Sequence, residues 1–187
     1  MFVLHDSKRG FIDIPGTHTK WVKDQCKELR DYERVDSTQG FDEYEWNMVV
    51  CEPSHRLYYL WHHRYQTYSG TTNRGDTVRI GPNMECVSAV FCDWEMFLVW
   101  YLRGEVPAQG EWTYQDHWHV PGQRRLWRMD QRYQCAEHLL HGRPTDEPPT
   151  PPELPERYTE EQQNEVKKMY KTDHLLLVAH KVQTVKD

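Results

Sequence analysis

The sequence predicts an α+β fold with low regular content: a small antiparallel meander, flanking helices and a long extended Pro-rich arm. Apolar residues recur at helical spacing over residues 17–33 and alternate with other residues over 45–81. Six prolines fall within residues 144–155. The 187 residues suffice for one ordinary domain with extended arms. We expect an α+β region over 1–103, an extended docking segment with the Pro-rich arm over 104–156, and a helical segment over 157–187.

The N-terminal part predicts one amphipathic helix. Residues 1–16 carry no clear periodicity and are expected to be irregular. Over residues 17–33, Val22, Cys26 and Leu29 recur at three- and four-residue spacing with charged residues between them. This spacing predicts a helix over 17–33.

Two alternating runs follow and predict strands. The first run is Trp46, Met48 and Val50, and the second is Leu57, Tyr59 and Trp61. Pro53 and Ser54 lie between them and predict a turn, and residues 77–80 predict a short third strand. We therefore expect an antiparallel meander over residues 45–81.

The apolar run at residues 87–102 is too long for a typical strand and is apolar all round. It predicts a buried helix that ends at Gly104 and Pro107. From 104 to 150 the periodicity is weak, and glycines and prolines interrupt it. This part is expected to be irregular and extended.

The C-terminal part predicts an arm followed by helices. Prolines in 144–155 favour polyproline II, because they fix φ and cannot donate backbone hydrogen bonds. Thr159 and Gln162 form a capping box that predicts a helix to about Tyr170. Asp173 is placed to cap a second helix over residues 175–182.

The composition indicates a protein that folds partly against partners. Mean hydropathy is −0.92, yet the chain has 8 Trp and 11 Tyr, and plain disordered chains are poor in aromatics. Trp, Tyr and Arg dominate the energetics of protein interfaces. A net charge of −6 argues against nucleic acid as a partner. The basic run at residues 123–128 keeps that alternative open.

Cysteine usage and hydropathy predict a protein of a reducing compartment without a membrane span. The five cysteines are odd in number and widely spread, with no Cys-x-x-Cys. The N-terminus has no signal-peptide pattern. The run at 87–102 is short for a bilayer, which needs about 20 apolar residues.

Catalytic and cofactor motifs are not recognisable, so we expect neither an enzyme nor a cofactor. Nucleophile-elbow, P-loop and dinucleotide-binding patterns do not occur. The 11 histidines raise one alternative, a metal-binding module or metal-dependent enzyme. His117 and His119 would share one face of an extended segment, and His62 or His63 could add a ligand.

Residues 102–150 resemble a known family. The stretch runs from Gly110 through a basic, Trp-containing segment to an Asp-Glu-Pro-Pro-Thr end, and Glu111 and Thr113 depart from the pattern. It resembles the family that includes mimitin and the small matrix-side accessory subunit of respiratory complex I. The resemblance implies these partner-docking residues: Tyr114, Asp116, Trp118, Gly122, Arg124, Arg125, Trp127, Asp146, Pro148, Pro149 and Thr150.

The function that this resemblance implies is a non-catalytic structural accessory subunit of a mitochondrial inner-membrane respiratory complex, above all complex I. It would lie peripherally on the matrix side, and its partners would be other subunits of that complex. An alternative is a mitochondrial ribosomal protein that contacts RNA phosphates through Arg124, Arg125, Arg128 and Arg132.

Overall fold

The computed structural model describes residues 1–63, 93–104, 124–173 and Leu175, and the backbone of Gly70–Thr71 and Thr77–Val78. The strands are β1 (Phe2–Leu4), β2 (Arg9–Ile12), β3 (Tyr32–Arg34), β4 (Glu45–Val50), β5 (Gly70–Thr71), β6 (Thr77–Val78) and β7 (Arg124–Arg128). The helices are α1 (Lys20–Cys26), α2 (Pro53–Trp61), α3 (Trp94–Leu102), α4 (Arg132–Leu140) and α5 (Glu160–Met169). These short elements confirm the predicted α+β class with low regular content.

Five strands form one mixed sheet in the order β3-β1-β2-β4-β7. β1 pairs antiparallel with both β2 and β3, whereas β2 pairs parallel with β4 and β4 parallel with β7. A second, two-stranded antiparallel ladder joins β5 to β6. The strand predicted at 77–80 is therefore present over Thr77–Val78, and its partner is Gly70–Thr71.

The N-terminus is a β-hairpin, so the prediction of irregular structure over residues 1–16 is wrong. Phe2 pairs with Phe11, and their rings stack at a centroid distance of 5.3 Å. Lys8 turns the chain with a φ of 49°. Strands of three and four residues are too short to show a periodicity in the sequence.

The second predicted strand of the meander is wrong, because Leu57, Tyr59 and Trp61 lie on helix α2. The predicted turn residue Pro53 is the first residue of that helix, where its missing N–H is not needed. Every residue of α2 except His55 is buried. A helix that is buried on nearly all sides has no amphipathic spacing. The alternation of Leu57, Tyr59 and Trp61 in the sequence therefore did not indicate a strand.

Helix α1 is shorter than the predicted helix over 17–33. It ends at Cys26, and the chain then turns through hydrogen bonds from Leu29 N to Cys26 O at 3.1 Å and from Tyr32 N to Leu29 O at 3.2 Å. Tyr32 begins β3, which pairs with β1. Pairing with the hairpin has overridden the local helical spacing.

Helices α1 and α4 cover one face of the sheet. Their buried residues Val22, Cys26, Cys135 and Leu139 pack with Phe2, Leu4, Phe11 and Val49. The other face packs Val3, Ile12, Trp46, Met48 and Val50 with Phe41 and Tyr44 of the preceding loop. β7 and α4 thus belong to the same core as β1–β4, although the sequence predicts an irregular segment there.

A second core joins α2, α3 and α5 through aromatic contacts. The Trp94 ring lies 5.1 Å from that of Tyr58 and 4.9 Å from that of Tyr158. The predicted capping box of α5 is confirmed. Gln162 N donates to Thr159 Oγ1 at 3.3 Å, and Thr159 N donates to Gln162 Oε1 at 3.0 Å.

Helix α3 corresponds to the later part of the helix predicted over 87–102. Asp93 caps it by accepting a hydrogen bond from Met96 N at 2.9 Å, and Gly104 follows it with a φ of +73°. Residues 87–92 and Pro107 lie outside the described residues. In the described ranges, the structure contains no helix that is both long enough and apolar enough to cross a membrane.

The chain after α5 continues as a helical turn over residues 171–173. Its Asp173 is fully buried, and the carboxylate lies 3.9 Å from the guanidinium of Arg56. Of the second helix predicted over 175–182, only Leu175 is among the described residues.

Replacing Gly10 with Ala is expected to destabilise the fold. An added Cβ would collide with the ring of Trp46, which is fully buried and cannot move aside. Overpacking of this kind costs about 2 kcal/mol. Urea unfolding should show this loss for Gly10→Ala and almost none for Gly142→Ala, where the nearest atom to an added Cβ is 3.9 Å away. Equal midpoints for the two variants would contradict the packing described for Gly10.

Candidate functional site

The structure locates only part of the residue set predicted for docking or metal binding. Outside the described residues lie Tyr114, Asp116, His117, Trp118, His119 and Gly122. The remaining docking residues fall into two places. Strand β7 carries Arg124, Arg125 and Trp127. The arm that follows α4 carries Asp146, Pro148, Pro149 and Thr150.

Trp127 lies on the face of the sheet that helices α1 and α4 cover. Its indole Nε1 donates to Asn47 Oδ1 at 2.9 Å, and the guanidinium carbon of Arg125 lies 5.6 Å from the centre of its ring. Asn47 is fully buried, and its Nδ2 donates to the backbone oxygen of Glu45 at 3.2 Å. Trp127 is therefore held by its own chain and is not a free anchor for a partner.

A polar cluster lies where the parallel strands β2, β4 and β7 begin. We call it the Glu45 cluster; its members are Arg9, Glu45, Arg125, His138 and His141. His138 Nε2 lies 2.5 Å from Glu45 Oε1, and Arg125 Nη2 lies 3.5 Å from Glu45 Oε2. Arg9 Nη1 donates to the backbone oxygen of His138 and lies 2.8 Å from His141 Nε2.

The fold explains why these five residues meet. Arg9 pairs with Glu45 across β2 and β4, and Arg125 pairs with Asn47 across β4 and β7. The last turn of α4 passes over the beginnings of these strands, and His141 follows it with a φ of 52°. The contact from Arg9 to a terminal carbonyl of α4 stabilises that helix end, where cations are favoured.

The protonation states in the cluster follow from burial and charge. Burial opposes ionisation of Glu45, but the hydrogen bond from His138 and the charges of Arg125 and Arg9 outweigh it, so the pKa of Glu45 is lowered. Burial lowers the pKa of His138 as well, even though Glu45 favours its charged form. A neutral His138 thus donates its Nε2 proton to an ionised Glu45, and His141 accepts from Arg9, which has only donors.

The Glu45 cluster contains a histidine that is oriented by a carboxylate, an arrangement that can also serve as a general base. No cysteine is among its five members. Burial raises the pKa of Cys26 and of Cys51 to about 12, and it also raises that of Cys135. None of the cysteines in the described ranges is a thiolate at neutral pH. The contacts of the cluster join α4 to the sheet.

The first residues of the arm are bound to helix α1. Asp146 Oδ1 accepts from Trp21 Nε1 at 2.9 Å and from Gln25 Nε2 at 2.5 Å. Thr145 donates to Gln25 Oε1 from its backbone N at 2.8 Å and from its hydroxyl at 2.9 Å. The arm has no regular structure from residue 143 to 155, as predicted, but Asp146 contacts the same chain.

Arg132 fixes the arm further along. It is 5% exposed, and its guanidinium donates to three backbone oxygens, those of Met129 at 2.9 Å, His18 at 3.1 Å and Pro149 at 3.0 Å. The guanidinium of Arg132, one of the arginines predicted to contact RNA phosphate, is therefore occupied by backbone oxygens of its own chain. Arg128, another arginine of that set, lies 2.8 Å from the carboxylate of Asp130.

The metal hypothesis gains no support in the described part of the chain. His62 and His63 follow the last turn of α2, and no group of three histidine, cysteine, aspartate or glutamate side chains suited to a metal is formed among the described residues. His18 lies near this pair. Burial, with the nearby Arg132, His63 and His62, lowers the pKa of His18 to about 4.

Helix α3 carries a surface that the sequence did not predict. Trp94, Phe97, Leu98 and Tyr101 are buried, but Met96, Val99 and Trp100 are 47%, 40% and 37% exposed. We call these three residues the outer face of α3. The prediction that this helix is buried all round is therefore wrong. The spacing of the three residues, i, i+3 and i+4, is that of one helix face, but apolar residues on the opposite side hid it.

Comparisons with known proteins found no match. No protein-family model, no curated protein and no solved structure corresponds to this chain.

Removing the carboxylate of Asp146 is expected to release the arm. Asp146→Ala removes two hydrogen bonds to α1, each worth ~1 kcal/mol, so cleavage by a glutamate-specific protease after Glu153 should be roughly tenfold faster. Mass spectrometry of timed digests measures the rate. Asp36→Ala removes an exposed carboxylate elsewhere and should leave it unchanged. Similar rates for the two variants would show that Asp146 does not hold the arm.

Stability is expected to fall in mild acid because of His18. Its pKa is lowered to about 4 in the fold, so below pH ~6.5 the unfolded state takes up a proton that the folded state does not. The free energy of unfolding should fall by about 1 kcal/mol from this group between pH 6.5 and 5, because partial exposure of the ring to solvent weakens the effect.

His18→Asn provides the test of this pH dependence. Asn tolerates the left-handed backbone at this position, where φ is 52°, and it does not titrate. Urea unfolding across this pH range should have a shallower slope in His18→Asn than in the unmodified chain. An unchanged slope would assign the acid sensitivity to other groups.

Proposed function

We propose that this chain is a non-catalytic structural subunit that binds other proteins in a larger assembly. We further propose that the assembly is respiratory complex I, with the chain on the matrix side of the mitochondrial inner membrane. The outer face of α3 is the observation that carries the binding role. The identity of the assembly is supported by the resemblance of residues 102–150 alone.

The outer face of α3 has the chemistry of a protein-binding surface. It presents an indole, a thioether and a branched aliphatic side chain on one side of a single helix. Aromatic residues and methionine are enriched at protein interfaces, and Trp is frequent among the residues that dominate binding energy. The partner that fits this face is an apolar surface of another subunit.

The helix behind this face is held in place before any partner binds. Phe97 is fully buried, Leu98 is 1% exposed, and the hydroxyls of Tyr101 and Tyr170 contact each other. The Asp93 cap fixes the start of the helix. Little ordering is therefore needed on binding, and this favours affinity for a given contact area.

The charges of the described residues favour a protein partner over RNA. Arg132 is buried against backbone oxygens, Arg125 faces Glu45, and Arg128 faces Asp130. The net charge of the whole chain is −6. RNA binding instead needs a large local excess of cations, whereas two of these three arginines have a carboxylate beside them and the third is buried.

The structure changes which residues are suited to test docking. Trp127 and Asp146 were predicted to contact a partner, but they bind Asn47 and Trp21 of the same chain. Replacing Trp127 and Arg125 with Ala would disturb the sheet as well as any interface. A sharper variant changes only exposed side chains.

The expected outcome is that Val99→Glu/Trp100→Glu weakens incorporation into the parent assembly by roughly tenfold or more, because two charges would be buried against an apolar partner. Native gel electrophoresis of solubilised mitochondria, with an antibody to complex I, measures incorporation. Ser37→Glu/Gln39→Glu adds the same charge at exposed positions and should incorporate normally. Circular dichroism of each purified variant verifies folding.

Three outcomes would contradict parts of this proposal. Migration of the unmodified chain with a different complex would overturn the assignment to complex I. Migration on its own would overturn the subunit role. Normal incorporation of Val99→Glu/Trp100→Glu would show that the outer face of α3 is not the binding surface.

A further inference from the structure

We propose that the outer edge of β7 binds an extended acidic segment of a partner protein by strand addition. This inference deepens the proposed function and rests on it for the existence of a partner. It concerns a different surface from the outer face of α3, so the two can be tested separately.

The position of β7 in the sheet provides the backbone for strand addition. It is the last strand in the order, and all five of its residues pair with β4 on one side. Among the described residues, no strand pairs with its other side. An edge strand presents a row of N–H and C=O groups at alternate residues, and a peptide can extend the sheet by bonding to them.

The side chains of β7 specify the charge of the partner. Three of its five residues are arginines, Arg124, Arg125 and Arg128, in a chain whose net charge is −6. Arg125 and Arg128 remain 48% and 45% exposed despite their acidic neighbours. Guanidinium groups bind carboxylates through several parallel donors, so each of these two can take a further carboxylate.

The arginines occupy both faces of the strand. Side chains alternate along a strand, so Arg124 and Arg128 share one face with Leu126, and Arg125 shares the other with Trp127. Cross-strand pairs of opposite charge are favourable, whereas like charges are not. A peptide that alternates acidic and β-branched residues can place its carboxylates on the face of Arg124 and Arg128 and its β-branched residues on the face of Trp127.

The edge is held at its C-terminal end, where its backbone is already extended. Trp127 is bonded to Asn47, and Arg128 N donates to Gln131 Oε1 at 2.9 Å in the 3₁₀ turn that ends the strand. Charged side chains on an edge also prevent indiscriminate pairing with neutral strands. The charge of the added strand therefore decides whether it binds.

The test uses the full chain and a fluorescent octapeptide, Thr-Glu-Val-Glu-Val-Glu-Val-Thr, with binding measured by fluorescence anisotropy. Saturable binding that weakens as salt rises is expected. The same peptide with Lys in place of Glu should not bind. A version with alternate backbone nitrogens methylated keeps the charge but cannot form the ladder, and it should not bind either.

Charge-reversal variants locate the site. Arg124→Glu/Arg128→Glu should weaken binding by roughly tenfold or more. Arg30→Glu/Arg34→Glu makes the same charge change at exposed positions by the opposite edge strand, β3, and should bind as the unmodified chain does. Urea unfolding of both variants separates loss of binding from loss of fold.

Four results would overturn the inference. Equal binding of the methylated peptide would indicate charge attraction without strand pairing. Equal weakening by both double variants would indicate a net-charge effect. Absence of binding would mean that the edge is not a docking site. Slow hydrogen exchange at every β7 amide of the unbound chain would mean that its own residues already cover the edge.

The outcomes for the edge and for the assembly are distinguishable. Peptide binding to β7 without co-migration with complex I would support strand addition at β7 and contradict the assignment to complex I. Co-migration that depends on the outer face of α3, without peptide binding, would support the assignment to complex I and contradict strand addition at β7.

Discussion

The parallel pairing of β4 with β7 is the interaction on which most of the described fold depends. It joins Trp127 to Asn47, two residues that are 80 positions apart in the chain. It also orients α4, which follows β7 after a single 3₁₀ turn, across the sheet and against α1. The Glu45 cluster and the contacts that hold the arm exist because this pairing brings β7 and α4 against the first half of the chain.

The parts of the fold that the sequence predicted are those with local causes. The capping box of α5 lies within four residues, and the alternation in β4 within six. The α+β class follows from such segments. The parts it did not predict depend on distant partners. α2 is buried nearly all round, the N-terminal hairpin is formed by very short strands, and the polar sequence of β7 becomes a strand only beside β4.

The same distinction explains the candidate site. The family resemblance implied that Trp127 and Asp146 bind a partner, and both do make specific hydrogen bonds. Asp146 binds Trp21, which is more than a hundred residues away in the chain, and Trp127 binds Asn47, which is eighty residues away. The sequence could not show that these partners belong to the same chain. The outer face of α3 was missed for the opposite reason, since apolar residues on both sides of a helix predict full burial.

Arg132 has a consequence for how the sequence of this protein can diverge. Its guanidinium joins three separate segments, and every acceptor is a backbone oxygen, of Met129, His18 and Pro149. Backbone acceptors are present whatever the side chain, so the junction itself makes no demand on the side chains of these three residues. Arg132 itself cannot be exchanged for lysine, which has no planar fork of donors. The junction therefore constrains one position strongly and its three partners hardly at all.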